Sequence, residues 1–91
     1  NVTLWSGNHI GHHSEVLDNN FISSHVVVSG HVHIHSFCFI GVNATLHDNI
    51  IIAPETLIGA GAVIAKDTIE KGVYLPPKST VINKKSDEIN I

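Results

Sequence analysis

The chain carries an aliphatic residue at every sixth position through an unbroken run. The run consists of Leu4, Ile10, Val16, Ile22, Val28, Ile34, Ile40, Leu46, Ile52, Ile58 and Ile64. A period of six fits neither the 3.6-residue turn of an α-helix nor the alternation of a plain strand. It fits a parallel β-helix in which a short strand and a corner repeat, with the periodic side chain pointing inward. The pattern therefore predicts an all-β solenoid of about three and a half turns.

A second column of residues lies two positions before each aliphatic. These residues are mostly small or β-branched, as at Val26, Val32 and Ala44. Because alternate residues of a strand share a face, this column also points inward. The residue directly after each aliphatic is often small, as at Gly11 and Gly41, and there we expect tight or positive-φ backbone.

The period ends after Ile64. We therefore predict a β-helix domain over residues 1–65, followed by an exit loop and a short C-terminal tail over residues 66–91. The chain starts at Asn1 and contains no methionine, so we expect it to be part of a longer or processed protein.

Charge and cysteine content narrow the functional classes. Only 14% of residues are charged and the formal net charge is -3, so we expect neither a nucleic-acid nor a membrane partner. No stretch is long and apolar enough to span a bilayer, and no signal peptide is evident. Cys38 is the single cysteine, which fits a reducing, cytoplasmic location.

The flat sides of the solenoid carry outward apolar residues. Val27, Phe39, Ile51 and Leu57 fall at outward positions of the six-residue period. A symmetric oligomer would bury them, and a three-sided prism suits a homotrimer.

The hexads include GHHS at residues 11–14, SG at 29–30, CFIG at 38–41 and IGAGAVIAKD at 58–67. Together they resemble the hexapeptide-repeat acyltransferases, and among these the sialic acid O-acetyltransferases and the N-acetyltransferases of UDP-linked 4-amino sugars. The resemblance implies a left-handed coil, a trimer, and transfer of an acetyl group from acetyl-CoA to an amine or hydroxyl of a nucleotide-linked sugar.

Acyl transfer needs a base for the acceptor proton and a donor for the oxyanion. The resemblance selects His12, four residues before Val16, as the base. It selects Gly30, eighteen residues on, as the oxyanion donor through its N–H. In the family an acid follows the base, whereas His13 stands here and is the rival base. Glu15 could act as the acid only if the corner brings it close.

The resemblance also implies a coenzyme site along the late turns. Small residues at Gly41, Gly59, Ala60 and Gly61 would allow the pantetheine arm to approach the backbone, and Lys66 could meet the phosphates. Tight corners alone would equally require glycine.

Two alternatives stay open. His31, His33 and His35 share one face of an extended segment and could form a zinc half-site, as in the γ-class carbonic anhydrases of the same coil. The ligand spacing of that class is missing, so we expect no metal. The other alternative is a non-catalytic trimeric scaffold.

Overall fold

The computed structural model describes residues 1–89, which form a parallel β-helix with corners between short strands. The strands are β1 (Val2–Leu4), β2 (His9–Ile10), β3 (Glu15–Val16), β4 (Asn20–Ile22), β5 (Val27–Val28), β6 (His33–Ile34), β7 (Phe39–Ile40), β8 (Thr45–Leu46), β9 (Ile51–Ile52), β10 (Leu57–Ile58), β11 (Val63–Ile64) and β12 (Val73–Tyr74). Three strands make one turn, so the twelve strands form about four turns.

The strands stack into three parallel sheets, one for each side of the prism. The first face has the order β1-β4-β7-β10-β12, the second β11-β8-β5-β2 and the third β3-β6-β9. Phe21 pairs with Phe39 and Ile22 with Ile40, each eighteen residues apart. This register confirms the predicted all-β solenoid, while the left-handed sense of the coil stays a prediction from the resemblance.

The periodic aliphatic residues form the core. Those from the second turn onward are buried, namely Ile22, Val28, Ile34, Ile40, Leu46, Ile52, Ile58 and Ile64. The first-turn residues differ, because Leu4 and Ile10 are exposed and Val16 is half-buried. An inward side chain needs a turn on each side to cover it, and within residues 1–89 the first turn packs against one turn only.

Backbone strain is concentrated at one position of every corner. A positive φ recurs at Gly7, His13, Asn19, His25, His31, Phe37, Asn43, Asn49, Glu55 and Gly61, again at intervals of six. The left-handed residue lies two positions beyond the small residue that follows each aliphatic. The small residue after the aliphatic serves close approach instead: a Cβ on Gly41 would lie 2.5 Å from the backbone nitrogen of Ala60.

Polar side chains of one turn satisfy buried backbone groups of the next. The acceptors are Asn8 for the Val26 N–H (2.8 Å), Ser14 for the Val32 N–H (3.1 Å) and Asn20 for the Cys38 N–H (2.7 Å). Each acceptor stands eighteen residues before its donor. These inward polar residues therefore connect successive turns by hydrogen bonds, and they provide acceptors for backbone amides of the core.

The final turn is two residues shorter than the others. Leu57 pairs with Val73, sixteen residues on, so β12 adds a fifth strand to the first face within the segment 66–91. On the third face side chains replace the missing strand. The Asp67 carboxylate accepts the Ile51 N–H at 2.8 Å, and the Thr68 hydroxyl accepts the Ala53 N–H at 2.8 Å.

The outward apolar residues remain exposed in the single chain. Val27, Phe39, Ile51 and Leu57 keep 40–47% of their surface accessible. The 3₁₀ helix at Ser86–Glu88 is the one helical segment in residues 1–89, and its three residues are far fewer than a bilayer crossing needs.

The left-handed corner position predicts a stabilising substitution. Phe37 has φ 62° and is 65% exposed, so it bears the strain of this conformation with little packing in return. Asparagine tolerates the conformation better, and we expect Phe37→Asn to raise the free energy of unfolding by about 0.5–1 kcal/mol in urea denaturation. Phe39→Asn, in an extended strand, is the control and should lower it. Equal losses from both changes would contradict the account.

Adjacent isoleucines on the third face test the inward column. Ile52 is fully buried and Ile51 is 47% exposed. We expect Ile52→Ala to lower the free energy of unfolding by about 2–5 kcal/mol, because the cavity cannot close between stacked turns. Ile51→Ala should cost less than half as much. Similar costs in urea titrations would show that the inward column does not carry the stability.

Candidate functional site

Three successive turns place polar residues along one edge of the prism, between the second and third faces. We call this edge the histidine corner; it consists of residues 11–14, 29–32 and 47–50. His12, Gly30 and Asp48 occupy one column of the corner, and His13, His31 and Asn49 occupy the next. Neighbouring turns of a parallel sheet lie roughly 4.8 Å apart, so the side chains in each column are in reach of one another.

The GHHS segment owes its shape to its first and last residues. A Cβ on Gly11 would lie 2.6 Å from the carbonyl carbon of Ser29, so only glycine allows this approach of the two turns. The Ser14 hydroxyl donates to the Ser29 carbonyl at 2.7 Å and accepts the Val32 N–H. With both ends fixed to the second turn, His12 and His13 project from the corner and remain exposed.

The corner brings the predicted histidines together. The rings of His13 and His31 stack with centroids 5.1 Å apart and planes inclined by 23°. The ring of His12 lies 6.4 Å from that of His13. The His31 N–H donates to the His12 carbonyl at 2.8 Å, which fixes the spacing of the two turns at this point. Three imidazoles thus share one exposed edge.

Gly30 lies beside His12, as the eighteen-residue spacing predicts. A Cβ on Gly30 would stand 3.5 Å from the His12 carbonyl oxygen and 3.7 Å from an Asp48 carboxylate oxygen, which are ordinary contact distances. Its φ is not positive, so neither strain nor crowding demands glycine. The Gly30 N–H donates to Asp48 Oδ1 at 2.8 Å. The predicted oxyanion donor therefore already holds an anionic oxygen.

The Glu15 carboxylate lies beside His33 on the third face and not at the histidine corner. Glu15 lies on β3 next to His33 of β6, and Glu15 Oε2 is 3.9 Å from His33 Nδ1. The strand alternation points Glu15 out of the third face, whereas His12 projects from the corner. The carboxylate closest to the Gly30 amide is that of Asp48 instead.

The residues predicted to bind coenzyme separate into two groups. Gly41, Gly59, Ala60 and Gly61 lie at the edge between the first and second faces, which we call the glycine corner (residues 5–8, 23–26, 41–44 and 59–62). Only Gly61 combines a positive φ (75°) with open space at its Cβ position. Gly41 is required by backbone packing, and Gly59 by the approach of Leu75 and the Tyr74 carbonyl.

Lys66 lies at the far end of the histidine corner's first column, fifty-four residues after His12 and therefore three turns on. It borders a groove of about 400 Å³ that Val63, Ile64 and Tyr74 also line. A second groove, of about 380 Å³, runs past Gly61 to Pro77. Both grooves are lined by Val63 and Ile64 of β11 and by Tyr74 of β12.

The remaining candidates are accounted for by packing. Burial raises the pKa of the Cys38 thiol, and its sulfur donates to the Ala53 carbonyl at 3.2 Å, so it is a neutral core residue.

The histidines of the candidate zinc half-site lie close together, and the rings of His33 and His35 are 4.9 Å apart. Within residues 1–89, however, no group of three or more His, Cys, Asp or Glu side chains is arranged to hold a metal ion.

Asp48 is the residue that motif analysis missed. No family motif includes Asp48. It follows Gly30 by eighteen residues, however, which places it one turn above the predicted oxyanion donor. The same count applied to the whole corner would have singled it out.

Comparison with known proteins agrees with this geometry. Residues 31–66 match the bacterial transferase hexapeptide (six repeats) family. The chain is also similar to an acyl-[acyl-carrier-protein]–UDP-N-acetylglucosamine O-acyltransferase of Burkholderia orbicola (strain MC0-3), with 32% identity over 59 residues. That alignment covers 65% of this chain and 22% of the relative's length. The segment that matches the family includes His31 and Lys66, whereas His12, His13 and Gly30 lie outside it.

Proposed function

We propose that the chain forms the coil domain of an acyltransferase that moves an acetyl group from acetyl-CoA to an amine or hydroxyl of a nucleotide-linked sugar. His12 takes the proton of the acceptor as it attacks the thioester carbonyl. The Gly30 N–H then stabilises the oxyanion of the tetrahedral intermediate, and coenzyme A leaves as the thiol. His13 is the rival base at the same corner.

The observation that carries the proposal is the histidine corner itself. Three exposed imidazoles and a glycine amide converge on one edge, and the glycine is not required by packing. A base and an oxyanion donor side by side are what attack on a thioester requires.

The relative supports the reaction class and widens the choice of donor. Its name describes transfer of an acyl group from acyl carrier protein to a hydroxyl of UDP-N-acetylglucosamine. Both acyl carrier protein and coenzyme A present the acyl group as a thioester. A thioester donor and a UDP-linked sugar are therefore common to the relative and to the N-acetyltransferases of UDP-linked 4-amino sugars that the hexads resemble.

We propose a homotrimer because one chain does not bring the two groups of site residues together. The histidine corner and the glycine corner lie on opposite edges of the second face. Packing three prisms side by side can set the glycine corner of one subunit against the histidine corner of the next. The same packing would cover outward apolar residues such as Val27 and Phe39, which are exposed in the single chain.

The test measures thiol release from acetyl-CoA by the full-length protein, with UDP-N-acetylglucosamine and a UDP-linked amino sugar as acceptors. We expect His12→Ala to lower kcat/KM by about 10²–10⁴-fold, because the acceptor loses its base, with an unchanged circular dichroism spectrum.

His35→Ala is the control, since His35 lies at the third edge of the prism, and should leave turnover unchanged. A large loss in His13→Ala but not in His12→Ala would assign the base to His13. Turnover of His12→Ala and His13→Ala equal to that of wild type would contradict a catalytic corner. Absence of any transfer would favour a non-catalytic scaffold.

A further inference from the structure

The backbone amide of Gly30 is bonded differently from the equivalent amides of other corners. The equivalent position in other corners is held by residues 12, 24, 36, 42, 48 and 60. Within the described residues 1–89, none of these six N–H groups has a protein acceptor. The Gly30 N–H, in contrast, donates to Asp48 Oδ1 at 2.8 Å. A carboxylate is an anionic oxygen acceptor, as the oxyanion of a tetrahedral intermediate is.

From this contact we infer that Asp48 is an internal competitor of the substrate, which occupies the oxyanion position at Gly30 until the acyl carbonyl displaces it. The inference rests on the proposed function, because it assumes that the Gly30 N–H binds the acyl oxygen. Asp48 takes no part in bond making or breaking in this scheme. It regulates access to the donor.

The surroundings allow the displacement. Asp48 is exposed, and Oδ1 to Gly30 is the one hydrogen bond of its carboxylate among the described residues. Its side chain can therefore turn into solvent without leaving a buried group unpaired. A Cβ on Gly30 would contact only the His12 carbonyl oxygen and Asp48 Oδ1, and both at ordinary distances, so no backbone presses against this residue.

The chain offers a matched control in Asp67. Its carboxylate accepts the Ile51 N–H at the same 2.8 Å, and it too is exposed. That contact closes the third face, where it replaces a missing strand. The two aspartates thus make equivalent bonds, but only Asp48 bonds to the predicted oxyanion donor.

The test compares thioester turnover by Asp48→Ala, Asp48→Asn and Asp67→Ala in the full-length protein. We expect Asp48→Ala to raise kcat/KM for acetyl-CoA by about three- to tenfold, the effect of freeing a donor from a charged acceptor. Asp48→Asn keeps a weaker acceptor in place and should give a smaller rise. Asp67→Ala should lower the unfolding midpoint and leave kcat/KM unchanged.

Coenzyme A supplies a second readout, because it lacks the acyl carbonyl. Its dissociation constant, measured by calorimetry, should be the same for wild type and Asp48→Ala. An unchanged or lower kcat/KM in Asp48→Ala, with wild type active, would overturn the inference and leave the proposed function standing. Wild type without any transfer would overturn both. A gain in Asp67→Ala equal to that in Asp48→Ala would also overturn the inference.

Discussion

In the middle turns, each buried aliphatic side chain packs between its equivalents eighteen residues before and after it. Ile40 lies between Ile22 and Ile58 in the register of the first face, and all three are fully buried. This stacking fixes the length of the turns up to β11, since a turn of another length would point an inward residue outward. The positions of the corners, and of the side chains that project from them, follow from that constant spacing.

The sequence predicts the parts of the fold that depend on the repeat. The ladder from Leu4 to Ile64 correctly predicts the all-β coil, the inward columns and the exposure of residues such as Ile51. The same ladder says nothing about β12, because the last turn is shortened to sixteen residues and closed by the side chains of Asp67 and Thr68. Such a termination is specified by individual hydrogen bonds, which leave no periodic trace.

Histidine occurs in this chain for two different reasons, backbone conformation and the proposed catalysis. His13, His25 and His31 occupy the left-handed corner position, where histidine is one of the better-tolerated residues apart from glycine. Backbone conformation thus accounts for part of the histidine content without reference to catalysis. His12 has no such explanation, because its φ is not positive. The eighteen-residue spacing correctly places it beside Gly30 and also points to Asp48, whereas the hydrogen bond between the Gly30 amide and the Asp48 carboxylate is shown by the structure.

We propose that the thioester donor binds between the glycine corner of one subunit and the histidine corner of the next. Backbone NMR of the isotopically labelled protein with acetyl-CoA at about 1 mM, the upper end of ordinary KM values, tests it most directly. The account predicts shifts of the amide resonances of Gly30, Gly61 and Lys66, with Phe37 and Glu55 at the opposite edge unchanged. An unchanged spectrum, or shifts confined to Phe37 and Glu55, would contradict it.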